Sequence, residues 1–145
     1  MKLEIKPPLL VEWNDMFNLG IPEIDIQHRQ IVDYTNALYL ARFNQDEKGV
    51  EKVLWLLVKY TRTHMDLEEE LMEKAGFPDL IQHRLSHLTF INITNNFVLR
   101  HYNGEDIAAE LQEKVNHWIY QHIMHDDMSF KPHVLKMLAQ DSKNT

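Results

Sequence analysis

Apolar residues return at steps of three and four through most of this chain, in four separate stretches. The first places Ile24, His28, Ile31, Thr35 and Leu38 on one helical face, with Pro22 and Asp25 suited to a helix start. A polar joint follows at residues 44–49. The second stretch lines up Val50, Leu54, Leu57, Thr61, His64, Glu68, Leu71 and Ala75, and Gly76 is placed to end it, with Phe77 and Pro78 just beyond. The third, from about Asp79 to His101, carries Leu80, His83, His87, Phe90 or Ile91, Thr94 and Phe97; Asn103 and Gly104 then break the chain. The fourth, from about Glu105 to His125, carries Ile107, Leu111, Val115, Trp118 and His122.

Four helices with short joints predict an all-α fold, an antiparallel up-down-up-down four-helix bundle. Residues 1–21 lack a helical period and read as an extended N-terminal arm, which Trp13 and Phe17 could pin to the body. Pro132 is placed to open a short C-terminal helix through Leu138, with frayed residues after it. The expectation is a single domain over 1–145: arm 1–21, bundle about 22–127, tail about 128–145.

Composition narrows the partners. A chain of 145 residues, 44% hydrophobic and 26% charged, has enough apolar surface for one real core. Its formal net charge of −7 disfavours nucleic acid and anionic membranes. The lack of cysteine excludes disulfides, iron–sulfur clusters and thiolate zinc sites. The N-terminal segment, broken by Pro7 and Pro8, is too short for a signal peptide, and no apolar run approaches a membrane span. A cytoplasmic location fits these features.

The chemistry lies in the histidines, nine in all. His64 and Glu68 are four apart, as are His83 and His87, so each pair shares a helical face and can meet one metal centre. His28 adds a donor from the first helix and His122 one from the fourth, with Asp126 and Asp127 close behind. A single inward histidine is most often a hydrogen-bonded core residue. Burying five of them with two acids is costly without a metal or a complete hydrogen-bond network. Imidazole with carboxylate suits iron, manganese or zinc. Two six-coordinate metals joined by two carboxylates and one oxygen leave one more position than five histidines can fill, and that vacancy, walled by Ile, Leu, Phe and Trp, suits a diatomic gas. Imidazole-rich donors favour the ferrous state over high-valent iron, hence binding over oxygen activation.

On an ideal helix Asp126 shares the face of His122 and Asp127 is turned away. Asp66, Glu69 and Glu70, in the run DLEEE, read as a solvated acidic face. His101, His117, His125 and His133 have no assigned role.

With these residues the chain resembles the hemerythrins, most closely the bacterial single-domain members. The matching pieces are IDIQH (24–28), HMDLEEELM (64–72), GFP (76–78), HRLSH (83–87) and WIYQHIMHDD (118–127), which span most of residues 13 to 130. The resemblance implies two iron ions with a bridging oxo or hydroxo group and reversible dioxygen binding for transport, storage or sensing. It implies that His83, His87 and His122 hold the coordinatively full iron, that His28 and His64 hold the open one, and that Glu68 and Asp127 bridge both. Against the ideal-helix geometry, the family pattern favours Asp127, given a loosened or bulged helix end. By analogy and helical phase the oxygen pocket comprises Ile31, Met65, Trp118, Ile119 and Ile123.

Two departures stand out. Phe130 replaces the family's usual tyrosine, and Met65 stands where an aromatic is common. The ligand imidazoles need acceptors for their second nitrogens, with Gln27, Asp66 or backbone carbonyls as candidates. No catalytic acid, base or substrate cleft is evident, so the expectation is a binding protein. The alternatives are a di-iron oxidase, peroxidase or nitric-oxide-handling enzyme, or an iron store. A delivery or redox partner protein is not identifiable from the residues.

Overall fold

The computed structural model describes residues 11–13 and 15–143. A 3₁₀ turn at Asp15–Phe17 precedes five helices: α1 Pro22–Phe43, α2 Glu47–Ala75, α3 Leu80–Tyr102, α4 Ala108–Gln121 and α5 Asp127–Lys143. A π-helical turn, His122–Asp126, joins α4 to α5. The first four helices form the antiparallel up-down-up-down bundle, and α5 folds back on α2. Among the described residues there is no strand, and no helix is long and apolar enough to cross a membrane.

The periodic residues face inward. On α1, Ile24, His28, Ile31, Thr35 and Leu38 are buried; on α3, His83, His87, Phe90, Thr94 and Phe97 are. On α2 the buried face drifts by one residue at its end: Met72 is fully enclosed, while Leu71 and Ala75 are only partly so. A straight helix drifts in this way against a strict repeat.

Helix ends follow local chemistry. Pro22 needs no hydrogen-bond partner in the first turn of α1. The Asp25 carboxylate accepts the Leu19 and Gly20 N–H groups at 2.7 and 3.1 Å, which ties the preceding loop to that turn. The α1–α2 joint is shorter than the polar stretch suggests. Asp46 caps α2 by accepting the Gly49 N–H at 3.0 Å, so Gly49 lies inside the helix. Gly76, at φ +68°, closes α2 in the left-handed conformation. The expected start of α4 near Glu105 moves to Ala108, because the Glu105 N–H still bonds back to the Arg100 carbonyl as part of the turn.

The chain's two ends depart from expectation in different ways. Pro132 does not open the last helix: α5 begins at Asp127 and runs through it. Asp127 already has helical geometry as it leaves the π turn, so the helix is under way before the proline, whose missing N–H removes one bond from the ladder. Near the other end, the Asn36 side chain exchanges two 2.8 Å hydrogen bonds with the Val11 backbone, Phe17 is buried and Arg29 lies over the Trp13 ring. The expected arm over residues 1–10 lies outside the described residues.

Candidate metal centre

Seven polar side chains meet in the middle of the bundle. His28 comes from α1, His64 and Glu68 from α2, His83 and His87 from α3, His122 from the π turn and Asp127 from the first position of α5. None is more than 5% exposed. The imidazoles present Nε2 inward. Two groups of potential ligand atoms result, His28–His64–Glu68–His122–Asp127 and Glu68–His83–His87–His122, and within each the atoms lie inside 4.8 Å of one another.

Glu68 belongs to both groups, and its two oxygens face different histidines. Oε2 lies 3.0 Å from His64 Nε2 and 3.2 Å from His28 Nε2. Oε1 lies 3.1 Å from His87 Nε2 and 3.0 Å from His122 Nε2. Asp127 is arranged alike: Oδ2 is 2.8 Å from His28 and 3.1 Å from His122, while Oδ1 is 3.3 Å from His83. Despite these short distances, both Asp127 oxygens lack a partner with hydrogen-bond geometry. The Nε2 atoms of His28 and His64 approach to 3.1 Å. Buried lone pairs crowded together without enough donors are the setting that a cation relieves.

The π turn brings Asp127 here. An α-helical turn would leave a residue five positions after His122 facing away; a wider turn restores it to the same face. Asp126 instead accepts a hydrogen bond from Ser86 Oγ at 3.2 Å, at the edge of the site.

The electrostatics follow from charge balance in a dry core. Burial works against the His122 imidazolium, but Asp127 and Glu68 outweigh it and lift its pKa to about 10. His83 is lifted to about 9, against burial, by the same two carboxylates, and His28 is raised too. Burial dominates at His64, pulling it down to about 4 although Glu68 opposes this. Burial resists ionisation of Glu68, yet His64 and His122 hold it well below the usual carboxylate range. Asp127 is also lowered: burial and Glu68 oppose its charge and His122 favours it.

Further out, His64 Nδ1 meets Gln27 Oε1 at 2.8 Å, one of the acceptors the sequence suggested. His87 Nδ1 meets Glu69 Oε2 at 3.0 Å. This corrects the reading of Glu69 as part of a solvated face: its side chain is only a quarter exposed, and it bridges His87 to Arg84, whose Nε donates to Oε1 at 2.9 Å. The contact joins α2 to α3, so no spacing within one helix could reveal it. Asp66 stays on the exposed side of α2.

The apolar surroundings are close. Trp118 stacks on His122 at 4.3 Å, with Phe90 at 4.4 Å from the Trp118 ring. Ile31, Met65, Ile119 and Ile123 are also fully enclosed. The Phe130 ring lies 5.4 Å from that of His83 and brings no hydroxyl. An open cavity of about 820 Å³ lies at the end of the bundle where the α1–α2 and α3–α4 joints meet, and none of the seven polar residues lines it.

The family model described as "Hemerythrin HHE cation binding domain" matches residues 19–134. A bacteriohemerythrin of Stenotrophomonas maltophilia (strain R551-3) is 38% identical over 131 residues, which cover 90% of this chain and 86% of that protein. A bacteriohemerythrin of Pseudomonas aeruginosa (strain LESB58) is 36% identical over 118 residues, covering 81% and 77%. In fold, the chain is similar to the crystal structure of a wild-type hemerythrin, with a TM-score of 0.81 over 86% of this chain and 98% of that one, at 24% identity.

Proposed function

This chain belongs to the hemerythrin family, and from that premise we propose that it binds dioxygen reversibly at a pair of iron ions held by His28, His64, Glu68, His83, His87, His122 and Asp127. The observation that carries the reading is the split of Glu68: one carboxylate oxygen among His28 and His64, the other among His83, His87 and His122. A carboxylate so placed would serve to hold two cations at once. In this reading Asp127 is the second bridge, and the two histidine sets differ by one member, which leaves one cation a donor short.

The donor set fits iron. Five neutral imidazoles and two carboxylates neutralise little charge and so favour the ferrous state, while excluding water favours the release of an intact gas molecule. Bound there, an iron pair would supply the two electrons that dioxygen takes up and would regain them on release. The protein does the rest. His28 and His64 define the side where the gas binds. Ile31, Met65, Trp118, Ile119 and Ile123 form an apolar wall there that admits a small neutral molecule and excludes bulk water. The Trp118 ring, flat against His122, fixes that imidazole's plane. In this reading all seven polar side chains that meet at the centre, among the described residues, hold metal, which supports binding over turnover. The role is transport, storage or sensing of dioxygen in the cytoplasm.

The test is anaerobic reconstitution with ferrous salt, followed by metal analysis and ultraviolet–visible spectra before air, in air and after evacuation. The reading requires about two irons per chain, colour in air and return of the starting spectrum under vacuum. Colourless protein in air, or repeated turnover with added reductant and no stable oxygenated form, defeats it.

A further inference from the structure

His64 and His87 each turn Nε2 into the cluster and Nδ1 outward to a side-chain acceptor. The two acceptors differ in charge. His64 meets the amide oxygen of Gln27 at 2.8 Å, and His87 meets the carboxylate of Glu69 at 3.0 Å. Glu69 is itself held: its other oxygen accepts from Arg84 Nε at 2.9 Å, and Arg84 Nη2 extends to Glu73 at 3.4 Å. His87 is buried, whereas Glu69 and Arg84 are partly exposed, so this chain of contacts runs from the centre to the surface.

Either acceptor fixes the imidazole tautomer with its Nε2 lone pair inward. Only a carboxylate also draws the Nδ1 proton strongly, which makes the ring a better electron donor to a metal. The two ends of the cluster therefore sit under unequal outer partners.

Resting on the di-iron reading above, we propose that Glu69, steadied by Arg84, is a positioning residue that acts through His87 to favour the ferric state at that end of the iron pair, with Gln27 as its uncharged counterpart at His64. The inequality comes from outside the ligand set. It supports a division of labour in which the His28–His64 side takes the gas while the His83–His87–His122 side stabilises the oxidised metal.

The test uses the iron-loaded full chain, with wild type, Glu69→Gln, Glu69→Ala and Gln27→Glu compared after circular dichroism shows equal helicity. Two readouts are the midpoint potential of the iron pair, by spectroelectrochemistry, and the rate of ferrous iron loss to a chelator. Glu69→Gln keeps an acceptor but removes the charge, so the potential rises while iron loss changes little. Glu69→Ala removes the acceptor as well and speeds iron loss about ten-fold or more. Gln27→Glu lowers the potential. A purely structural role for Glu69 would leave the potential of Glu69→Gln where it was, and that result overturns the proposal while wild type still holds two irons. A wild-type chain that holds no iron pair overturns the di-iron reading and this inference with it.

Discussion

Neighbouring aspartates have opposite fates. Asp127 is fully buried among His28, His83 and His122, whereas Asp126 lies at the edge on Ser86. Asp127→Asn keeps the volume but removes a charge that the cluster needs, so iron retention after desalting falls below the wild-type level by about ten-fold or more in affinity. Asp126→Asn leaves iron content unchanged. Equal losses in both variants would contradict the bridging role of Asp127. The pocket wall tests separately. Ile119 is completely enclosed, and Ile119→Ala removes volume from the proposed wall at about 2–5 kcal/mol. Water then gains access, and oxidation of the ferrous centre to a form that vacuum does not restore becomes faster. Ile119→Val, costing about 0.5–1.5 kcal/mol, separates access from stability: it should oxidise at an intermediate rate in a well-folded protein. Rates equal to wild type in both variants would remove Ile119 from the wall.

At the level of elements, the π turn at His122–Asp126 is the feature on which the site turns. It puts the residue five positions after His122 on the face where a regular helix would place the fourth, beside His28, His83 and His122. Deleting Met124, half-buried within the turn, should let the segment close as α-helix with the aspartate now four after His122, still on its face. That protein should keep about two irons per chain; loss of metal as complete as in Asp127→Asn would show that the π geometry itself is required. Much of this level was legible in the residues. Steps of three and four set the inner faces of all four bundle helices, because burial on one side leaves a periodic trace. Gly76 marked an end because its backbone needs a positive φ. The α2 start at Glu47 was missed because its signal, the Asp46 side chain capping Gly49, sat in a stretch that composition alone labels as loop. Pro132 misled in the opposite sense, since a helix already under way tolerates it. The π turn leaves no periodic trace, being one irregular turn, and only the family pattern pointed to it. Glu69 escaped notice because its contact crosses from one helix to another.

For the molecule as a whole, the centre is both the polar heart of the core and its electrostatic burden, and pH separates the two roles. In the metal-free chain His83 and His122 are lifted to about 9 and about 10, from 6.5 when unfolded, by Glu68 and Asp127 acting against burial. A raised pKa means the folded state binds the proton more tightly, so this contribution is fully present below 6.5 and is lost as pH rises through about 9 to about 10. His64 works in the other direction: burial lowers it to about 4, so falling pH between 6.5 and that value favours the unfolded chain, which protonates first. Glu68 and Asp127, both lowered, likewise give stability that is lost in acid. The metal-free protein should therefore be most stable near neutrality and melt at lower temperature both in acid and above pH 9. In the proposed di-iron reading iron would replace the protons on His83 and His122, and any on His28, so loading near neutral pH should release about two protons per chain or more, and iron affinity should rise with pH. The loaded protein, its imidazoles held by metal, should lose much less stability on the alkaline side. Thermal melts of both forms from pH 5 to 10, with an indicator dye following proton release during anaerobic ferrous titration, measure both effects. Parallel melting curves for the two forms, or loading without proton release, would mean that the cluster is not held by protonated imidazoles before the metal arrives.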